Sequence, residues 1–186
     1  MNWYKTAQNN LQEQYQLIET GPKSIKITGS GVNEIINLAG KTISAKDLLN
    51  QVISRINPIL IQNGVREINT DPISQANAAG LANSHQPGVI HADIRKIFNQ
   101  YKSALPPTVQ TDGVVPDTDS IAGLVKEVEQ DILHQIGNVF SHESKHRFDM
   151  REKMEQNRPF SEVKEAPAEQ FGESMSKKYF PTTFQQ

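Results

Sequence analysis

Ser141-His142-Glu143-Ser144-Lys145-His146 lies within the longest periodic stretch of the chain, and the fold is read outward from it. Around it Ile121, Leu124, Val125, Val128, Ile132, Ile136, Val139, Phe140, Met150 and Met154 recur at steps of three and four. That spacing predicts one long helix, or two nearly collinear ones, over 120–155. With His142 at zero and about 100° per residue, Ile132, Ile136, Val139, Met150 and Met154 fall between about 60° and 120°. Glu143 falls at about 100°, inside this apolar stripe, and His146 at about 40°. A carboxylate on the face that would otherwise be buried is costly without a compensating role.

The pattern HExxH supplies such a role. Imidazoles at i and i+4 can reach one cation at about 2.0 to 2.1 Å, while the intervening Glu stays beside the ion, free to accept a proton from water. His142 and His146 are therefore candidate zinc ligands, and Glu143 is the candidate general base. The competing reading is a solvated helix face on which Glu143 pairs with Arg147 at i+4. It accounts for the residue types but not for their interruption of the apolar stripe.

Composition narrows the chemistry further. The chain has 186 residues, enough for one domain with a sizeable core, and a net charge of -2 that gives no general cationic field for nucleic acid. It contains no cysteine, which removes disulfides, iron-sulfur clusters, Cys-ligated zinc and thiol nucleophiles together. No apolar run approaches the roughly 20 residues of a membrane span, and Met1 to Asn10 lacks the h-region of an export signal, so the expected location is the cytoplasm. The sequence leaves the oligomeric state open.

A catalytic zinc takes three protein ligands and keeps one position open. None of the five histidines follows His146. Asp149 sits near the same face but about 10 Å along the axis from His142, and one straight helix cannot encircle an ion, so Asp149 is expected beside the centre rather than on it. A last helix over 164–179 offers Glu165-Ala166-Pro167-Ala168-Glu169, where Pro167 is tolerated in the first turn. Glu165 is the expected third ligand. Glu169, one turn later, is expected to accept the second ring N–H of a ligating histidine.

Upstream, Trp3, Tyr4, Ala7, Leu11, Tyr15 and Ile18 predict a helix over 1–20. Ile25 and Ile27, then Gly29-Ser30-Gly31 and Ile35-Ile36, read as a short hairpin. Ser44 with Asp47 resembles a capping box opening a helix over Ala45 to Gln62, with Gly64 as its stop and Pro58 expected to kink it or end its regular part early. Val65 to Asn69 reads as a strand, and the alanine-rich segment Ala76 to Ala82 has no assignment. Val89-Ile90-His91-Ala92-Asp93 is the strongest strand signal and is expected to border the cleft as a substrate-binding edge. A short helix follows from Ile94 to Tyr101, then a Pro-rich loop around Pro106 to Pro116. In the tail, Phe180 and Phe184 are expected to close the core, with a cleft-blocking tail as the alternative.

HExxH on one helix, followed some twenty residues later by a second helix opening Glu-x-x-Ala-acid, resembles the gluzincin metallopeptidases. The run from Glu165 through Phe171-Gly172 to Phe180-Pro181 looks most like the compact ImmA/IrrE-type and minimal members. The resemblance covers His142 to Phe184. It implies a single α+β, zincin-like domain: a small twisted, mostly antiparallel sheet, a backing helix over Ala45 to Gln62, an active-site helix and a C-terminal helix. It also implies a zinc peptidase acting on a peptide or protein, with an oxyanion stabiliser for which Tyr179, Arg147, Arg158 and His91 are candidates. The chain departs from the family in carrying Glu169 where a shorter Asn or Asp is common. A zinc-bound module without catalysis, structural or regulatory, is the alternative function. A nucleic-acid regulator would need a basic recognition helix that the sequence lacks.

Overall fold

The computed structural model describes residues 23–104, apart from Ala39 and Ala76, and 118–182, with Leu11, Glu13, Gln14 and Gly21 before them. The helix expected over 1–20 lies, save for those isolated positions, outside the described residues. So do the Pro-rich loop and Phe184.

The architecture is mixed α and β. Strands β1 (Lys26–Thr28), β4 (Glu67–Asn69), β6 (Val89–Ala92) and β5 (Gly80–Leu81) form one sheet in that spatial order. β4 lies parallel to both β1 and β6, and β5 runs antiparallel on the far side of β6. The sheet is therefore not mostly antiparallel as expected: two of its three ladders are parallel. The connections explain it, because long segments separate β1 from β4 and β4 from β6, and parallel strands need such crossovers. The register Ile27↔Ile68 and Ile68↔Ile90 lines up one apolar file, with Ile68 and Ile90 fully buried.

The hairpin expected between Ile25 and Ile36 does not form. Instead β2 (Ile35–Leu38) pairs with β3 (Lys41–Ser44), while Ser30–Asn33 makes a 3-10 turn. Gly29, at φ 94°, is wedged so closely that a Cβ would lie 2.7 Å from the Asp71 amide nitrogen, which ties the end of β1 to β4 rather than to β2.

Helix α1 (Ala45–Gln62) buries Leu48, Leu49, Val52, Ile56 and Leu60. Ser44 caps it with extended backbone only, so the side-chain bond of the expected box is absent. The helix also runs through Pro58 instead of ending there. Pro58 and Ser54, whose carbonyl loses its partner, are both exposed, so water satisfies what the proline ring breaks. At the C-terminus the Val65 N–H donates to Leu60 O and the Gly64 N–H to Ile61 O, with Gly64 at φ 90°, a glycine-terminated stop as read from the sequence.

Helix α2 (Ile94–Ala104) opens on Asp93, whose carboxylate accepts the Lys96 N–H at 2.9 Å and the Ile73 N–H at 2.8 Å. Helix α3 (Thr118–Glu155) is continuous for 38 residues, and α4 (Glu165–Tyr179) returns along it. Ile132, Ile136 and Phe140 of α3 fill the core beneath the sheet and against α1. The α3–α4 crossing is close because it is built over glycines. A Cβ on Gly137 would meet the Phe180 ring, with Cε2 at 2.6 Å, and one on Gly172 would lie 3.0 Å from Asn138 O and 3.2 Å from His142 Cβ. Phe180, 1% exposed, closes the core as expected, with the Arg55 guanidinium 5.2 Å from its ring and His134 Nδ1 donating to its carbonyl at 2.8 Å. No described helix is long and apolar enough to cross a membrane.

Candidate metal centre

Helix α3 presents His142, Glu143 and His146 on the face turned towards β5 and the start of α4. The first turn of α4 brings Glu165 over them, because Ala168 and Gly172 let that helix settle onto α3. The Glu165 carboxylate bridges the two imidazoles: His142 Nε2 donates to Oε1 at 2.7 Å and His146 Nε2 to Oε2 at 2.9 Å. The two rings stand 4.9 Å apart at 72°. All three ligand atoms lie within 4.8 Å of one another. The side chains are graded in exposure, 12% for His146, 17% for His142 and 63% for Glu165, so the group opens to solvent on the α4 side.

Glu143 stands apart from this set. It is 6% exposed, and its Oε1 is 3.9 Å from His142 Nε2, outside hydrogen-bond range. Burial, then repulsion from Glu165, pushes its carboxyl up to about 8, against a smaller opposing pull from Arg147. Burial lowers the His146 pKa, with His142 adding to the shift and Glu165 opposing it. A neutral imidazole is the form that binds metal.

The donor set tests whether a metal fits. Two imidazole nitrogens and a carboxylate converge from two helices, with a buried carboxylate beside them that ligates nothing. Four-coordinate geometry at about 2.0 to 2.1 Å needs ligand atoms about 3.3 Å apart, so small side-chain rotations would suffice. His146 Nδ1 is buried and without a hydrogen-bond partner. Glu169 does not supply that partner: it is exposed and bonds neither ring, being about 6 Å further along α4. Asp149 does not either, since it accepts from Lys145 Nζ at 2.9 Å and reaches His146 only through its charge.

The other candidates lie elsewhere. Tyr179 ends α4, roughly 21 Å from Glu165 by helix rise, and packs against the core; its carbonyl accepts from Arg55. It is not at the centre. Arg158 pairs with Glu162 at 2.8 Å. Arg147 is buried and directs its guanidinium to the carbonyls of Asn83 and Gln86, so it anchors a turn, and its charge also reaches Glu143.

The substrate-binding edge expected at Val89 to Asp93 does not form there. β6 is interior to the sheet: β4 pairs with Val89, Ile90 and His91 on one side and β5 with His91 and Ala92 on the other, so it is not the sheet's edge strand. Ile90 and Ala92 are core residues, His91 Nε2 bonds Gln86 Oε1 at 2.7 Å, and Asp93 caps α2. The edge beside the centre is β5, which the sequence reading left unassigned. A Cβ on Gly80 would lie 2.8 Å from Glu143 Oε1, Glu143 Cγ and Val139 Cγ1 alike. An isolated glycine in an otherwise small-residue segment was the available signal for such close backbone approach. A second contact that was missed is Asn63 Nδ2 donating to Ser144 Oγ at 3.1 Å, which ties the end of α1 to the motif helix.

The arrangement defines a class of site, two histidines and one carboxylate able to hold a metal ion, with a buried acid beside it. No protein-family model, no curated protein and no solved structure matches the chain.

Proposed function

We propose that this chain is a zinc-dependent peptide hydrolase of the gluzincin type. The observation that carries the proposal is the bridging of His142 and His146 by Glu165 with Glu143 buried beside them and outside the ligand set. A site that only stabilised the fold would have no use for that extra carboxylate, which is costly to bury. Two nitrogens and one carboxylate oxygen are a donor set suited to four-coordinate zinc with one position left open. Zinc held there supplies Lewis acidity towards a peptide carbonyl and towards water.

The chain's own residues do the remainder. His142, His146 and Glu165 hold the ion. Glu143 takes the proton of the attacking water and delivers it to the leaving amine; a cation beside it favours the ionised carboxylate that accepting the proton requires, opposing the burial that pushes this group up to about 8. Among the described residues no strand pairs with the outer edge of β5, beside Glu143, and an extended peptide can add there as a further strand.

The test compares zinc-loaded wild type with Glu143→Gln on a mixture of unstructured peptides. Cleavage by wild type and its loss in the variant, at equal zinc content, supports the reading. Equal turnover in both removes Glu143 from the mechanism, and no cleavage by either leaves a zinc-binding module without catalysis.

A further inference from the structure

The turn between β5 and β6 is mostly exposed at Asn83, His85 and Gln86, and its internal bonds are few: Gln86 N–H to Asn83 O at 3.1 Å, Val89 N–H to Gln86 O at 3.2 Å and His85 N–H to Asn83 Oδ1 at 2.9 Å. His91 bonds the Gln86 side chain at 2.7 Å, and a buried side chain reaches the turn's backbone. Arg147, 2% exposed, donates from Nη1 to Gln86 O at 2.7 Å and from Nη2 to Asn83 O. A guanidinium is costly to bury, and here two of its donors are spent on uncharged backbone carbonyls of a single turn. Arg147 stands four residues after Glu143 on α3, and Glu143 lies directly under Gly80 of β5. The motif helix therefore grips this hairpin at two points one helical turn apart: at the strand through Glu143 and at the turn through Arg147.

We infer that Arg147 is a positioning residue that clamps the β5–β6 turn and so fixes the height of the β5 edge over Glu143. Because Gly80 leaves no space above the carboxylate, that height sets both the backbone edge offered to a peptide and the room available to Glu143. The catalytic consequence rests on the hydrolase reading; the mechanical one does not. A lysine at 147 keeps the positive charge but loses the planar fork that spans two carbonyls.

The experiment uses the full chain loaded with zinc and compares wild type, Arg147→Lys and Gly80→Ala. In Arg147→Lys, amide exchange across Gly80–Ala92 should accelerate about tenfold or more while the amides of α1 are unchanged. Zinc affinity from chelator competition should stay within about threefold of wild type, the ligands being held by the α3–α4 crossing instead. The value of kcat/KM on an extended peptide should fall about tenfold or more, with kcat reduced as well as KM raised. Gly80→Ala, which displaces the strand from its other contact, should lose hydrolysis in the same way at unchanged zinc. Unaltered exchange in Arg147→Lys, or an equal rise in α1, overturns the clamp. Should Arg147→Lys not fold, Gly80→Ala decides, and full turnover there overturns the coupling. If zinc-loaded wild type cleaves nothing, the hydrolase reading fails and the exchange measurement still judges the clamp.

Discussion

The α3–α4 crossing and the four-stranded sheet face each other across Glu143 and are built in different ways. In the crossing, two long helices meet over Gly137 and Gly172, and three prospective ligands come from chain positions 142 to 165. In the sheet, strands of two to four residues come from chain positions 26 to 92 and owe their places to crossovers, caps and buried guanidinium contacts. One region sets the ligands by helical periodicity and close packing. The other places a short, lightly held edge beside them. The difference teaches that ligand geometry should be robust where the edge is sensitive, and that the two can be perturbed separately.

The largest effect belongs to the crossing. Phe180→Ala empties the space over Gly137 and should destabilise the fold by about 3 to 5 kcal/mol, read from urea denaturation. A loss below about 1 kcal/mol would mean that the crossing is not the anchor described here. Next in size is Glu165→Ala, expected to weaken zinc binding by about a hundredfold or more in chelator competition, with the fold retained. Equal zinc affinity in wild type and variant would remove Glu165 from the ligand set.

A smaller effect is the pH dependence of the metal-free protein. The Glu143 carboxyl is raised from the ordinary 4.5 to about 8, so the folded chain holds this proton more tightly than the unfolded one. The associated stability is fully present below about pH 4.5 and is lost as pH rises through about 8. His146 acts in the opposite sense, since its lowered pKa makes stability fall as pH drops below its ordinary 6.5. Between pH 6.5 and about 8 the Glu143 contribution dominates, and stability should decline by up to about 1.4 kcal/mol per unit. Urea midpoints across this range should show the slope, and Glu143→Gln should flatten it. The smallest effect is expected at His91→Thr: stability within about 0.5 kcal/mol and zinc affinity unchanged, because His91 lies on an interior strand with its ring bonded to Gln86. A marked loss of zinc there would break the separation between sheet and crossing.

What could be read from sequence follows the same division. The helices over 120–155 and 164–179 were legible because their signals are local: apolar residues at steps of three and four, and a proline in a first turn. His142, His146 and Glu165 converge for that reason, since both helices are regular and the connection between them is short. Strand order was not legible, because nothing in Val89 to Ala92 says whether one neighbour or two will pair with it. β5 escaped because Gly80–Leu81 is a two-residue strand among alanines, held by pairing with β6 and not by its own propensity. From sequence Arg147 reads as an ion-pair partner of Glu143 or an oxyanion donor, whereas the Asn83 and Gln86 carbonyls it reaches are backbone groups, which any residue could have supplied. Tyr179 stands away from the centre because the helix that carries Glu165 towards the histidines carries Tyr179 away from them.

The outward position of Glu165 bears on how an ion would enter and leave such a site. Phe180, Gly137 and Gly172 join α3 to α4 by close packing, and Glu165 bonds both imidazoles. With most of its side chain in water, Glu165 can turn aside by rotation about its own bonds, on the timescale of surface side chains, while His142 and His146 stay where α3 holds them. With zinc bound as proposed, the ion's arrival and departure would be governed by the motion of one carboxylate instead of by an opening of the core.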